Sequence, residues 1–227
     1  MKLARLTILL AAVVLIFALG LQITLSSPQE QTAAEIGIPS VGQTAYEFIA
    51  QIDQSGFDLT ISGYLTHVGG IAADSLFVAG TNPAERSEAS AYLTMQATGS
   101  IYARSVLQSI FDTNASLTLT IYYHETPGAS FDDLASFAAG TPVAVYTVRL
   151  QNILNVQSPD VGIANSNGES VQSESTPFSL NGQDVRFGRV GMTTHLSAFG
   201  QGFRQSVEPL AVRLLTAGNA VVTNWGE

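Results

Sequence analysis

Residues 116–123 alternate between two sets of side chains, and this two-residue period constrains the fold more than any other feature of the chain. Successive side chains of a β-strand point to opposite faces, so the pattern predicts a half-buried strand. A second alternating run covers residues 93–103, with Gly99 as the expected position of a bend or bulge. Long, bent strands favour a barrel or a strongly coiled sandwich. The apolar side of the first run consists of Leu117, Leu119, Ile121 and Tyr123.

Several further segments have the composition of strands, and turn residues separate them. Asn167-Gly168 and Asn181-Gly182 are typical of tight turns, and Gly218-Asn219 is placed to close a last hairpin. We therefore predict an all-β fold, a single antiparallel β-sandwich or up-and-down β-barrel of about 7–8 strands, preceded by an N-terminal transmembrane or signal helix. The predicted strands are residues 57–62, 76–79, 143–156, 185–196, 210–215 and 220–223, and a further hairpin turn is predicted at residues 112–114.

The N-terminal region indicates membrane targeting. Residues 6–29 carry no charged side chain, and Lys2 and Arg5 directly precede them. About 20 uncharged residues can cross a bilayer as a helix, and the preceding basic residues favour a cytoplasmic N-terminus. Two interpretations stay open. A retained signal-anchor would cross the membrane through residues 6–25 and leave an extracytoplasmic C-terminal domain. A signal peptide would be cleaved, and the protein would then be secreted.

The predicted organisation has three parts. Residues 1–26 form the signal-anchor or signal peptide, residues 27–55 a tether, and residues 56–227 the extracytoplasmic β domain. Apolar residues between positions 46 and 52 recur at spacings of three or four, which predicts a short amphipathic helix in the tether. Two long connections are natural places for function. We expect residues 124–142 to form a lid over one end of the barrel, with a helical turn at 134–138, and residues 158–177 to be a mobile loop.

Charge and composition restrict the possible partners and reactions. The chain has 18 acidic residues against 9 Lys and Arg, so we expect no nucleic-acid partner. It contains no cysteine, and its single lysine is Lys2 in the leader. Thiol chemistry, Ser-Lys dyads, Schiff bases and P-loop phosphate binding therefore lack their essential residues in the predicted β domain. There is also no Gly-x-Ser-x-Gly nucleophile motif. The sequence predicts no catalytic residue.

Three histidines could bind a metal only if distant strands brought them together. His67, His124 and His195 are far apart in sequence, and none of them forms the local spacing of a known metal motif. We therefore expect no metal site and no cofactor.

The candidate ligand-binding residues are those that combine charge or aromatic character with a predicted strand end. Arginine can bind an acidic ligand through charge-assisted hydrogen bonds, and tyrosine offers both a ring and a hydroxyl. The candidates are Tyr123, His124, Glu125, Arg186 and Arg189.

These features favour a non-catalytic envelope or cell-surface module that binds an unknown small molecule or another envelope component. The alternative is a small β-barrel enzyme, isomerase-like or hydrolase-like, with a site at one barrel end formed by His124, Glu125 and an arginine. A third possibility is a structural role through an exposed sheet edge.

Overall fold

The computed structural model describes residues 33–226, which contain a closed barrel of eight antiparallel strands and a separate three-stranded sheet. The barrel confirms the all-β prediction and decides between barrel and sandwich. The barrel strands are β2 (Thr44–Ser55), β3 (Asp58–Val68), β4 (Leu93–Leu107), β5 (Ile110–Tyr123), β6 (Thr141–Ser158), β7 (Val161–Ser175), β10 (Thr193–Ser206) and β11 (Ala211–Asn224). The small sheet contains β1 (Ala34–Ile36), β8 (Pro177–Leu180) and β9 (Gln183–Phe187).

The barrel has up-and-down topology. Each strand pairs with its neighbour in sequence, except that β8 and β9 intervene between β7 and β10, and the barrel closes where β11 pairs with β2. In the small sheet β9 lies between β8, which is antiparallel to it, and β1, which is parallel. A closed barrel has no free strand edge, so a structural role through an open edge could involve only the small sheet among the described strands.

The barrel interior follows the alternation of the strands. In β5, Leu117, Leu119 and Ile121 are buried inside, whereas Thr118 is exposed on the outer face. The same inward rows from all eight barrel strands of residues 33–226 form a continuous core. The two-residue period of the sequence therefore predicted the core side of this strand correctly.

The two ends of the barrel differ. At one end, here called the hairpin end, short turns join β2 to β3, β4 to β5, β6 to β7 and β10 to β11. The opposite end, here called the loop end, carries the small sheet and the longer connections. Short 3-10 helices occur in these connections, at Ala73–Leu76, Pro83–Glu85, Glu88–Ser90 and Leu134–Ala138.

The connection from β5 to β6 forms a cover, but on the barrel wall and not across its end. The predicted helical turn is present as the 3-10 helix Leu134–Ala138, and the Asp133 carboxylate accepts a hydrogen bond from the backbone of Ala135. Phe137 is fully buried, and its carbonyl accepts a hydrogen bond from Thr94, which faces outward from β4. The lid prediction was therefore wrong about the surface that this segment covers.

Three predicted turns are strand interiors. Residues 112–114 lie in β5, Asn167-Gly168 in the middle of β7, and Gly218-Asn219 in β11. The expected mobile loop at 158–177 is mostly β7 itself. β7 was missed because its inward side chains are small, as Ser166 and Gly168 are, and it therefore lacks a strongly apolar face. Asn181-Gly182 does form the predicted turn, with positive φ at both residues.

The predicted short helix was also wrong. Its residues form β2, in which Tyr46, Phe48 and Ile52 face the lumen while Ile49 lies on the outer surface. Apolar residues on both faces of the strand gave it a spacing like that of a helix.

Other strand bounds also differ from prediction. Residues 76–79 are not a strand, residues 185–196 divide between β9 and β10, and the two strands predicted at 210–215 and 220–223 are one strand, β11 (Ala211–Asn224). The predicted leader, residues 1–26, and the first part of the tether lie outside the described residues. In the portion from 33 to 226, no helix combines the length and the apolar character needed to cross a membrane.

Candidate ligand-binding site

A cavity of about 200 Å³ opens at the hairpin end of the barrel lumen. Its walls are mainly apolar, and polar side chains surround its mouth. The apolar lining includes Phe111, Leu154, Val156, Leu210, Val212 and Leu214. The polar lining includes Gln54, Arg104, Thr113, Asn152, Asp160 and Arg204.

Two neighbouring strands carry glycine at lumen positions in the cavity wall. Gly162 of β7 and Gly202 of β10 are paired in the ladder and both line the cavity. A Cβ atom at Gly202 would lie 2.7 Å from a methyl group of Leu214 and 2.9 Å from one of Leu154. A larger side chain at Gly202 would therefore displace these two leucine side chains, which line the cavity.

A β-bulge in β4 turns Arg104 toward the cavity. From Leu93 to Ile101 the odd-numbered residues face the lumen, so an unbroken strand would place Arg104 outside. Ile101 pairs with Ala115, but Ala103 pairs with Asn114, which leaves Tyr102 as an extra residue. A bulge of this kind reverses the alternation and re-aims the following side chains. The bulge lies three residues beyond Gly99, the position expected from the sequence.

The guanidinium group of Arg104 lies over the ring of Phe111, 5.1 Å from the ring centre. This is the distance range of a cation–π interaction. Among residues 33–226, no carboxylate forms a salt bridge with Arg104. At the cavity mouth, the Arg104 guanidinium therefore contacts the face of an aromatic ring and, within residues 33–226, no carboxylate.

The second arginine of the mouth is neutralised. Arg204 donates from Nε to Oδ1 of Asp160 at 2.6 Å, and its backbone N–H donates to the Asp160 carbonyl at 2.8 Å. Deeper in the wall, the Ser166 hydroxyl donates to the Asn152 side-chain oxygen at 2.9 Å. The three charged groups lining the cavity, Arg104, Arg204 and Asp160, sum to one positive charge.

No protein-family model, curated protein sequence or solved structure matches this chain. Its function is therefore inferred from the geometry of its own site.

A smaller cavity of about 50 Å³ lies farther along the barrel axis. The strands that line it are largely those that line the mouth: β2 contributes Gln54 to the mouth and Ile52 below it, and β11 contributes Leu214 and then Thr216. Its lining is apolar except for Ser166, Thr216 and the hydroxyl of Tyr46.

Two tyrosine hydroxyls in the lumen lack partners. Tyr46 and Tyr146 are fully buried, and neither hydroxyl has a hydrogen-bond partner within the described residues. Burial raises the pKa of both phenols, so both remain neutral hydrogen-bond donors at physiological pH. Tyr46 lines the deeper cavity, and its ring contacts Phe187 at 5.8 Å between centres.

The candidates chosen from the sequence do not line either cavity. His124 is buried beneath the connection from β5 to β6 and bonded to Thr94, with 2.8 Å between Nε2 and Oγ1. The Thr94 hydroxyl donates its proton to the Phe137 carbonyl, so His124 must be the donor in the contact with Thr94. Burial lowers the pKa of His124. Glu125, its neighbour, is exposed.

The other candidates lie toward the loop end, each in contacts of its own. Tyr123 packs against Phe178, with 5.0 Å between ring centres, and burial raises its pKa. Arg186 donates to the Ser175 carbonyl at 2.8 Å. Arg189 makes two contacts with the Glu35 carboxylate, at 3.1 and 2.5 Å. These three side chains therefore make separate contacts, and none of them lines either of the two cavities.

The three histidines also remain separate. His67 lies in β3, His124 follows β5, and His195 is exposed on β10. Across residues 33–226 no group of three or more His, Cys, Asp or Glu side chains is arranged to hold a metal ion. The sequence did not single out Arg104 as a candidate, because the bulge that turns it toward the cavity left no clear pattern in the residues.

Proposed function

We propose that this barrel is a non-catalytic binding module that takes a small, mainly apolar molecule into its lumen through the hairpin end. The observation that carries the proposal is the cavity of about 200 Å³ with apolar walls and a polar mouth. Ligand pockets commonly combine apolar walls with a few polar groups that orient the ligand. An apolar cavity of about 150 Å³ is enough to bind benzene in a protein core. The ligand is expected to be of that size or somewhat larger.

The closed barrel favours binding over a structural role. Its wall has no free edge, and its backbone hydrogen bonds are used between neighbouring strands. The lumen, in contrast, contains a cavity of about 200 Å³ at the mouth. Apolar walls around open space gain contacts when a ligand enters, since an empty apolar cavity loses dispersion interactions on its lining.

The proposed place of action is outside the cytoplasm. Support comes from the uncharged N-terminal segment behind Lys2 and Arg5. The proposal is tested by fusing a reporter that is active only outside the cytoplasm to the C-terminus, with residues 6–25 present or deleted. Activity that does not depend on those residues would contradict it.

The binding proposal is tested by filling the cavity. The substitution Gly202→Leu places an apolar side chain in the mouth, and Leu154→Phe enlarges the opposing wall. We expect both variants to lose most of the affinity for octanol, measured by calorimetric titration, while their circular dichroism stays that of a β-barrel. The matched control is Gln201→Leu, which adds the same side chain to the exposed face of the same strand. Unchanged octanol affinity in both filled variants would refute the lumen as the site.

A further inference from the structure

We propose that the ligand of this cavity is a monoanionic amphiphile, a single negative head group on an apolar body, and that Arg104 binds the head group. The inference rests on the proposed function and adds the chemical class of the ligand. It depends on the direction of Arg104, on the pairing of the other arginines and on the charge balance of the mouth.

The direction of Arg104 is a consequence of the bulge at Tyr102. The register shift places Arg104 opposite Thr113, and both residues line the cavity. The Phe111 ring holds the guanidinium group at the mouth. Arginine presents several donors in a planar fork that matches a carboxylate or another oxyanion, and one face can stack on an aromatic ring while the edge stays free for a ligand.

Arg104 shares its lack of a carboxylate partner with Arg149 and Arg186 among the described arginines, but of these three it alone lines the cavity. Four arginines of the described region form salt bridges with carboxylates, in the pairs Arg86–Asp74, Arg189–Glu35, Arg204–Asp160 and Arg213–Asp53. Arg104 forms none there, although acidic residues outnumber basic ones two to one in the chain. A cation without a carboxylate partner at an apolar cavity is complementary to an anionic ligand.

The charge of the mouth sets the charge of the head group. Arg104 and Arg204 contribute two positive charges, and Asp160 contributes one negative charge that is already paired. A single negative charge on the ligand would therefore complete the balance. A second one would lie near the Asp160 carboxylate without a cation of its own.

The apolar walls below Arg104 determine the chemistry of the rest of the ligand. Leu154, Val212 and Leu214 follow the charged mouth toward the barrel axis, and the deeper cavity continues past them. A ligand anchored by its head at Arg104 would therefore direct its apolar part down the lumen. A free polar group at the far end of the ligand would face apolar side chains and lose its hydration.

The test compares octanoate, octanol and octyltrimethylammonium, which carry an anionic, a neutral and a cationic head group on similar straight alkyl chains, by calorimetric titration of the full chain against a protein-free blank. We expect octanoate to bind at least about tenfold more tightly than octanol, because hydrogen bonds to charged groups exceed neutral ones in strength. We expect the cationic ligand to bind more weakly than octanol. Octyl sulfate is included to distinguish a carboxylate from another monoanion, and Arg104-dependent binding of either supports the proposal.

Variants test whether the preference for octanoate over octanol depends on Arg104. Arg104→Gln should lose the preference for octanoate over octanol, and Arg104→Lys should keep part of this preference because the charge remains. The matched control is Arg149→Gln, which removes an exposed guanidinium that contacts the Tyr102 hydroxyl at 3.4 Å from outside the barrel. This control should keep the preference.

Three results would overturn the proposal. The first is equal binding of octanol and octanoate by the natural protein, which would leave the lumen as an apolar site without charge selection. The second is an octanoate preference that survives in Arg104→Gln. The third, no binding of either ligand, would remove the proposed function together with this inference.

Discussion

Asp160 and Arg204 join the turn between β6 and β7 to the end of β10 at the cavity mouth, with 2.6 Å between Oδ1 and Nε. Both side chains are about half exposed, at 56% for Asp160 and 42% for Arg204. Exposed pairs of this kind contribute about 0–1 kcal/mol to the free energy of unfolding. The pair is therefore more important for the charge of the mouth than for the stability of the barrel.

We expect Asp160→Asn to increase the affinity for octanoate several-fold, because it frees Arg204 and raises the positive charge of the mouth. The free energy of unfolding in urea should change by less than about 1 kcal/mol. Calorimetric titration and denaturant unfolding measure the two quantities. The control is Asp184→Asn, an exposed acid of β9 in the small sheet, which should leave octanoate binding unchanged. A loss of octanoate affinity in Asp160→Asn would contradict the charge-balance account.

Glycines inside the barrel strands allow a close approach between neighbouring strands. A Cβ atom would lie 2.0 Å from the Ser116 carbonyl oxygen at Gly99, and 1.9 Å from that of Leu215 at Gly200. We therefore expect Gly99→Ala and Gly200→Ala each to lower the free energy of unfolding by about 1–3 kcal/mol or more. Gly128→Ala is the matched control, since nothing lies within 4 Å of its added atom. Equal stability of all three variants in urea would show that the strands can separate without cost.

His124 should make stability depend on pH. Burial lowers its pKa below the ordinary value of 6.5, so the unfolded chain binds a proton more readily than the folded one. The contribution of His124 to the free energy of unfolding is therefore constant above about pH 7.5, and it falls as the pH decreases below 6.5. We expect His124→Gln to show a smaller loss of unfolding free energy between pH 7.5 and 5.5 than the natural protein.

The control for this pH effect is His195→Gln, which changes an exposed histidine on the outer face of β10. It should retain the pH dependence of the natural protein. A pH profile of His124→Gln that coincides with the natural profile would show that His124 takes up its proton in the folded state without cost.

The unpartnered phenols of the lumen predict an unusual response to deletion of a hydroxyl group. Removing a buried polar group that lacks a partner relieves a desolvation cost of about 1–3 kcal/mol. We therefore expect Tyr46→Phe and Tyr146→Phe to leave the unfolding free energy unchanged or to raise it. Ser170→Ala is the comparison, because the Ser170 hydroxyl is bonded to Thr194 at 2.7 Å and its loss should cost about 1 kcal/mol. Destabilised tyrosine variants would reveal bound water or ligand at these hydroxyls.

The sequence predicted the strands whose two faces differ strongly. In β5 the buried Leu119 alternates with Thr118 and Thr120, so both the strand and its inward side could be identified. In β7 the lumen side carries Ser166 and Gly168, and this strand was taken for a mobile loop. The difference between β5 and β7 follows from closure of the barrel. The lumen has limited space, so large side chains from some strands require small side chains from others.

The site was less predictable than the fold, because it depends on a local irregularity. A regular continuation of the alternation seen from Leu93 to Ile101 would place Arg104 outward, and the extra residue Tyr102 reverses that position. The residue types around the bulge do not indicate which residue is the extra one. Gly99, the natural candidate, serves instead to let β4 approach the backbone of β5.

The pairing of β2 with β11 has a consequence for biosynthesis. The seam joins Ser55 to Ala211 and Thr44 to Val221, so its contacts span more than 150 residues of chain. Contacts of such sequence separation form slowly, because a long loop must close before they contribute. β2 emerges from the ribosome among the first strands of the barrel and has no partner on its outer edge until the last one follows. For that interval the edge of β2 is open to pairing with a strand of another chain.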